Sequence, residues 1–179
     1  MGLRTLIPSQ SSLAAALAAT LLLLPAPDDA RGGVVVPAAN ACEAVAGAAR
    51  VGCLINQARR SRGLPPLARV GALDRAATVQ AASIARCGQF SHTPCGRPFG
   101  SAFRAAGFRV GSRAVAENIA WGTGERGSPD ETVQHWLSSA PHRRNILSRQ
   151  FWKLGVASVS GTIAGSANAT IWVVDFAGR

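Results

Sequence analysis

Apolar residues repeat at two different periods along this chain, and the change from one to the other limits its fold most. Between residues 44 and 62, Val51, Leu54, Ile55 and Ala58 stand at i, i+3, i+4 and i+7, the stripe of an amphipathic helix. Arg59, Arg60 and Arg62 fall in its last turn, where cations suit a helix C-terminus, and Gly63 ends it before Leu64-Pro-Pro-Leu67. Between 70 and 86 the same spacing returns in Leu73, Ala76, Ala77, Gln80, Ala81 and Ile84, and Gly88 lies just past the end. Most of these facing residues are small, so another element can approach closely. Phe99 to Ala106 reads as a short third helix. Pro129 to Ser139 reads as a fourth, with Ser128 as N-cap and Asp130 and Glu131 in its first turn. The period then shortens to two. Lys153 to Ser160 alternates, with Leu154 and Val156 on one face, and Thr170 to Phe176 is rich in β-branched and aromatic residues. Gly161 to Ala169 reads as the hairpin loop between them, and Ala114 to Trp121 as a third strand. This order of helices and strands predicts an α+β fold with an antiparallel sheet rather than alternating βα units.

The N-terminus carries a different signal. Arg4 precedes an uncharged apolar run of 12 residues, Leu13 to Leu24, and Pro25-Ala-Pro-Asp-Asp-Ala30 follows. The run is too short to span a membrane and suits the core of a signal peptide. The expected organisation is a signal peptide at 1–30, a linker at 31–43 and one domain at 44–179, secreted and without a transmembrane segment. Four cysteines fit export. They allow three connectivities. Neighbour pairing, Cys42–Cys53 and Cys87–Cys95, closes two small loops and is the expectation; each closure contributes roughly 2–3 kcal/mol. No CxxC spacing points to a zinc site built from cysteine.

The net charge of +10 comes from 19 basic residues, of which Lys153 is the one lysine. They are scattered singly or in pairs, with no aromatic interleaving of the kind that stacks bases. The charge therefore reads as a solvated basic surface, and no nucleic-acid partner is expected.

Chemistry has few residues to draw on. The three histidines are His92, His135 and His142. Glu117 lies in Val115-Ala-Glu-Asn-Ile-Ala-Trp121, flanked by apolar residues, so it is either half exposed on an edge or buried with a partner. His142 follows Pro141 and reads as held at an element boundary. Two imidazoles and a carboxylate can hold a divalent cation such as zinc with positions left open, or a histidine and Glu117 can form a general-base pair. Spacing does not choose between these: His92, Glu117 and His142 are 25 residues apart in each step. There is no HExxH, GxSxG or P-loop motif. Ser91 reads as a local hydrogen-bonding or capping residue.

Taken in order, several pieces form one string: Cys53-Leu-Ile-Asn-Gln-Ala-Arg, Gly63-Leu-Pro-Pro-Leu67, Phe90-Ser-His92, Ala116-Glu-Asn-Ile119, Val133-Gln-His-Trp136, Ser139-Ala-Pro-His-Arg-Arg-Asn-Ile-Leu147, Gly155-Val156 and Trp172-Val-Val-Asp-Phe176. The string resembles secreted bacterial members of the CAP superfamily, which groups cysteine-rich secretory proteins, antigen 5 and pathogenesis-related 1 proteins. The resemblance covers about residues 46–178. It implies a three-layer α-β-α sandwich, the CAP fold, with a small antiparallel sheet between helices. It also implies a central cleft lined by two histidines and two acids. His92, Glu117 and His142 match three of these positions, and the second acid falls on Ser139. His135 matches none and reads as surface or packing, while Trp136 reads as core. His92, Glu117, His142 and Ser139 are thus the expected cleft residues, with His92, His142 and Glu117 as the metal-ligand candidates. No cofactor is required; zinc or another divalent cation is the one that fits.

The favoured reading is a secreted binding module for a divalent cation, a lipid or a cell-envelope polymer, lipid binding being a trait of some branches of the superfamily. A metal-assisted hydrolase and a structural protein of the cell surface are the alternatives. No catalytic residue is assigned, and the oligomeric state is left open.

Overall fold

The computed structural model describes residues 42–108, 110–111 and 114–178; the expected leader and most of the expected linker lie outside this range. The amphipathic segment around Ile55 forms helix α1 (Gly47–Arg60), and its apolar stripe turns inward, with Val51 and Ile55 fully buried. The chain then runs through Pro65-Pro66 along the sheet. Asn56 on α1 fixes this stretch, accepting from Leu67 N at 2.7 Å and donating to Leu67 O at 3.0 Å. A short strand β1 (Ala68–Arg69) follows, then α2 (Gly71–Cys87) and α3 (Ser101–Ala105). The remaining elements are β2 (Val115–Gly122), α4 (Pro129–Ser138), α5 (Ala140–Leu147), β3 (Phe151–Ile163) and β4 (Ser166–Gly178).

The sheet runs β1-β3-β4-β2. The pairs β3–β4 and β4–β2 are antiparallel, as the alternation predicts, but β1 pairs with β3 in parallel, so the sheet is mixed. Proline offers no N–H to a ladder. Of the four residues between Pro66 and the start of α2, Ala68 and Arg69 pair with β3.

Side chains alternate across β4, and each set meets its own layer of helices. Trp172, Val174 and Phe176 pack with Val51, Ile55, Val133, Trp136 and Ile146, from α1, α4 and α5. Ile171 and Val173 pack with Ala77, Ala81 and Ile84 of α2. This is the three-layer sandwich that the resemblance implies. The small residues of α2 bring it very close to the sheet: a Cβ built on Gly155 of β3 would stand 2.1 Å from the carbonyl carbon of Leu73. Only glycine fits there.

Two expectations need correction. The Gly/Ser/Asn-rich stretch 161–169 is not a loop. β3 and β4 run through it and turn on Ala164 and Gly165 alone, both at positive φ (49° and 79°). A two-residue turn with both φ positive matches the twist of the strands, and small polar residues tolerate the exposed arms. No helix is expected after Ser139, yet Ala140 to Leu147 forms α5, with Pro141 in its first turn, where a missing N–H costs nothing, and His142 stands just inside the boundary between α4 and α5. Arg59 also does more than complement a helix end. It is fully buried and donates to Pro65 O (2.9 Å), Ile146 O (2.7 Å) and Ser148 O (2.8 Å), gathering the carbonyls at the C-terminal end of α5.

Candidate functional site

Strand β2 pairs with β4 on one side only, so its other edge borders a cleft. Successive residues of a strand point to opposite faces. Glu117 therefore reaches the α2 side and Asn118 the α5 side, and each of these adjacent residues secures one wall.

On the α2 side, Glu117 Oε1 accepts from His92 Nδ1 at 2.6 Å and from Gln80 Nε2 at 3.1 Å. Gln80 also donates to the backbone carbonyl of His92, 3.1 Å away. The side chain of Glu117 is 3% exposed, while that of His92 is 47% exposed. The carboxylate thus sits behind the imidazole and leaves Nε2 as the nitrogen that an occupant of the cleft can reach. The loop carrying His92 leaves α2 at Cys87 and is closed by the Cys87–Cys95 disulfide; Cys42–Cys53 is the other bridge. Ser91 Oγ accepts from Thr93 N, and Gln89 Oε1 from Cys95 N, so the loop also bonds to itself.

On the α5 side, Asn118 is fully buried. Its Nδ2 donates to the His142 carbonyl (3.1 Å), and its Oδ1 accepts from Asn145 Nδ2 (2.9 Å). The next residue of the strand, Ile119, accepts at its carbonyl from the Trp136 indole at 3.0 Å, tying α4 to the same edge. His142 lies in the first turn of α5 with its Nδ1 buried and unpaired among the described residues. Burial lowers its pKa below the usual histidine value, and the neighbouring His135 and His92 lower it further. The rings of His135 and His142 have centroids 6.4 Å apart.

The cleft between these walls has a volume of about 800 Å³. His92, His135 and His142 all line it, with Phe90, Ile119 and Trp121 as apolar wall and Ser91, Thr132, Arg126 and Glu131 as polar surroundings. Two of the four expected cleft residues, His92 and His142, are therefore present in it. Glu117 supports His92 from behind, and Ser139, at the junction of α4 and α5, is not part of the lining. His135, which reads as surface or packing in the sequence, joins them from the last turn of α4, next to Trp136, whose indole ties the helix to Ile119 on β2. With Glu117 committed to Nδ1 of His92, the expected His–Glu–His ligand set does not face the cleft together. No group of three or more His, Cys, Asp or Glu among the described residues is placed to hold a metal ion. Gln80 and Asn118 also escaped notice. The one signal for Gln80 was an amide within an otherwise apolar helical stripe.

The chain matches the family profile CAP, the Cysteine-rich secretory protein family, over residues 54–176. It is 30% identical over 127 residues to the uncharacterized protein YkwD of Bacillus subtilis (strain 168), across 70% of this chain and 45% of that protein. It thus spans less than half the length of that relative. The fold is similar to that of an outer surface protein from Borrelia burgdorferi, with a TM-score of 0.60 and 22% identity over 72% of this chain and 90% of that one. It is also similar to an extracellular protein containing an SCP domain from Bacillus anthracis str. Ames, with a TM-score of 0.59 and 24% identity over 73% of this chain and 39% of that one.

Proposed function

The chain belongs to the cysteine-rich secretory protein family, and from that premise we propose that it is an exported binding module whose cleft takes an amphipathic component of the cell envelope. The observation that carries this reading is the composition of the cleft: three imidazoles beside an apolar wall of Phe90, Ile119 and Trp121. An imidazole offers a donor or an acceptor to a polar head, and the aromatic and aliphatic wall shields an apolar portion from water. Both walls are fixed from behind, so little order has to be gained on binding. Export is supported by the apolar run at Leu13 to Leu24 and by two disulfides, which persist in oxidising surroundings. Among the described residues no helix is long and apolar enough to cross a membrane.

The test is calorimetric titration with two probes, monomeric dihexanoyl phosphatidylcholine and a soluble disaccharide-peptide fragment of peptidoglycan. Each is run on the wild type and on the His92→Ala/His142→Ala double variant, with circular dichroism to confirm folding. Binding of either probe, weakened at least about tenfold in the double variant, supports the proposal. Binding that is equal in both proteins, or absent for both probes, removes it.

One observation favours a second reading, a hydrolase. A carboxylate on Nδ1 of an imidazole whose Nε2 faces a cleft is the arrangement of a general base. Turnover of peptide or peptidoglycan substrates, lost in Glu117→Gln, would move the chain to that class.

A further inference from the structure

The loop that carries His92 has an outer side that the cleft does not use. Between Asp74 and Glu117 the sequence holds Arg75, Arg86, Arg97, Arg104, Arg109 and Arg113 and no acid. The fold gathers two of these arginines. Arg97 Nη1 donates to Ser83 Oγ at 3.2 Å, and Arg86 Nη2 reaches the same oxygen at 3.5 Å. Ser83 is buried on α2 and gives its own proton to the Val79 carbonyl at 2.8 Å. Arg86 also reaches Sγ of Cys95, so the disulfide sits beside the pair. The ion pairs among the described residues involve Arg50, Arg69 and His92, and neither arginine of this pair. Two guanidiniums drawn to one hydroxyl without a carboxylate repel each other, and each keeps N–H groups to offer an oxyanion.

Apolar side chains stand out from the same loop. Phe90 and Phe99 are 44% and 40% exposed. They flank His92: Phe90 lies two residues before it, and the Phe99 ring centroid is 6.5 Å from the imidazole. Phe99 also follows Arg97 by two residues. A phenyl ring gains by leaving water for the interface of a bilayer, and an arginine gains from the phosphates at the same depth. A soluble polyanion would use the arginines and leave the rings in water. We infer that this surface docks on a bilayer of anionic lipid, with Phe90 and Phe99 in the interfacial layer and Arg86 and Arg97 on lipid phosphates. The Cys87–Cys95 bridge and the bond from Cys95 N to Gln89 hold the loop in shape, so little order has to be gained on docking. Phe90 also lines the cleft, so docking brings the cleft to the lipid surface. The inference deepens the reading of the chain as an exported envelope-binding module and rests on it for the membrane that the chain meets.

The experiment sediments the exported protein with vesicles of phosphatidylglycerol and phosphatidylcholine, and with vesicles of phosphatidylcholine alone. The variants are Arg86→Gln/Arg97→Gln, Phe99→Ser and Arg60→Gln/Arg144→Gln. The last removes the same charge from exposed positions on α1 and α5, in the other helical layer. Binding to the anionic vesicles should fall at least about tenfold in the first two variants and less than about twofold in the third. No binding to anionic vesicles, binding no tighter than to phosphatidylcholine alone, or an equal fall in the two arginine pairs overturns the inference. Soluble polyphosphate bound as tightly as the vesicles, with no loss in Phe99→Ser, also overturns it and makes the surface a site for a polyanion. If a variant does not fold, hydrogen exchange of the wild type on anionic vesicles decides: new protection within residues 86–104 supports the inference, and protection only elsewhere overturns it. The soluble probes of the cleft need no bilayer, so the two readings fail separately. Vesicle binding without probe binding removes the cleft reading and keeps the docking surface, and probe binding without vesicle binding overturns the docking surface alone.

Discussion

The two walls of the cleft hold their histidines by different means. On the α2 side the anchor is a buried carboxylate, and the histidine rides on a loop outside regular structure, pinned by its side chain and by a disulfide. On the α5 side the anchor is a neutral amide, and the histidine is part of a helix gripped at its backbone. An ionic anchor sets the orientation and tautomer of a ring. An amide anchor positions the backbone and leaves the ring to its surroundings. Alternation along one strand lets Glu117 and Asn118 do both with consecutive residues.

The strongest way to break this comparison is to remove the clamp on one wall. Arg59→Ala deletes three charge-assisted hydrogen bonds of a buried guanidinium, two at the end of α5 and one to Pro65, and should cost about 4 kcal/mol or more, read as a loss of denaturant midpoint. Hydrogen exchange should then quicken in α5 while the His92 loop stays protected. Gly155→Ala attacks the other wall, since the added methyl meets the backbone of α2 at Leu73. It should cost about 3 kcal/mol, at the upper end for overpacking, because a helix backbone rather than a side chain must give way. Opening the Cys87–Cys95 bridge with paired serines should cost about 2–3 kcal/mol. It should also broaden the His92 ring resonances and leave those of His142 sharp. Asn118→Ala should do the reverse at a cost of about 1–3 kcal/mol, since it strands the His142 carbonyl and the Asn145 amide.

The smallest effect sharpens the contrast through pH. Unfolded histidine takes up a proton near pH 6.5, and His142 in the fold does so only at lower pH. The unfolded state therefore binds more protons in that window, and stability falls as the pH drops below about 6.5 toward the folded value. Asp175 acts in the opposite direction. Its folded pKa is raised from 3.8, so the folded state binds the extra proton, and stability falls as the pH rises above that value toward the folded one. Chemical denaturation across pH 4 to 8 should show a shallower acid-side loss in His142→Gln and a shallower alkaline-side loss in Asp175→Asn.

The layers of this fold were legible because burial follows period. Every residue of the predicted α2 stripe is buried, and Ser128 caps α4 through a bond from Glu131 N. Glu117 was legible as a carboxylate needing a partner, since apolar neighbours leave a charge few other solutions. What escaped was set by tertiary contacts. Residues 140–147 carry no clear helical stripe in the sequence, yet with Pro141 in the first turn, where it is tolerated, they form α5. The stretch 161–169 reads as loop because its composition is polar, yet a two-residue turn lets the strands continue. Asp175 and Glu117 are far apart in sequence, and only the register of β2 on β4 places them face to face. His135 carries no local sign that its helix borders a cleft.

The central claim is that β2 brings His92 and His142 to one cleft from opposite faces of the sheet. Nitrogen-15 spectra of the histidine rings, followed through titration with the two envelope probes named above, test it most directly. Both rings should shift together, with one shared midpoint, for whichever probe binds. A bound probe that moves one ring and leaves the other unchanged would contradict the claim.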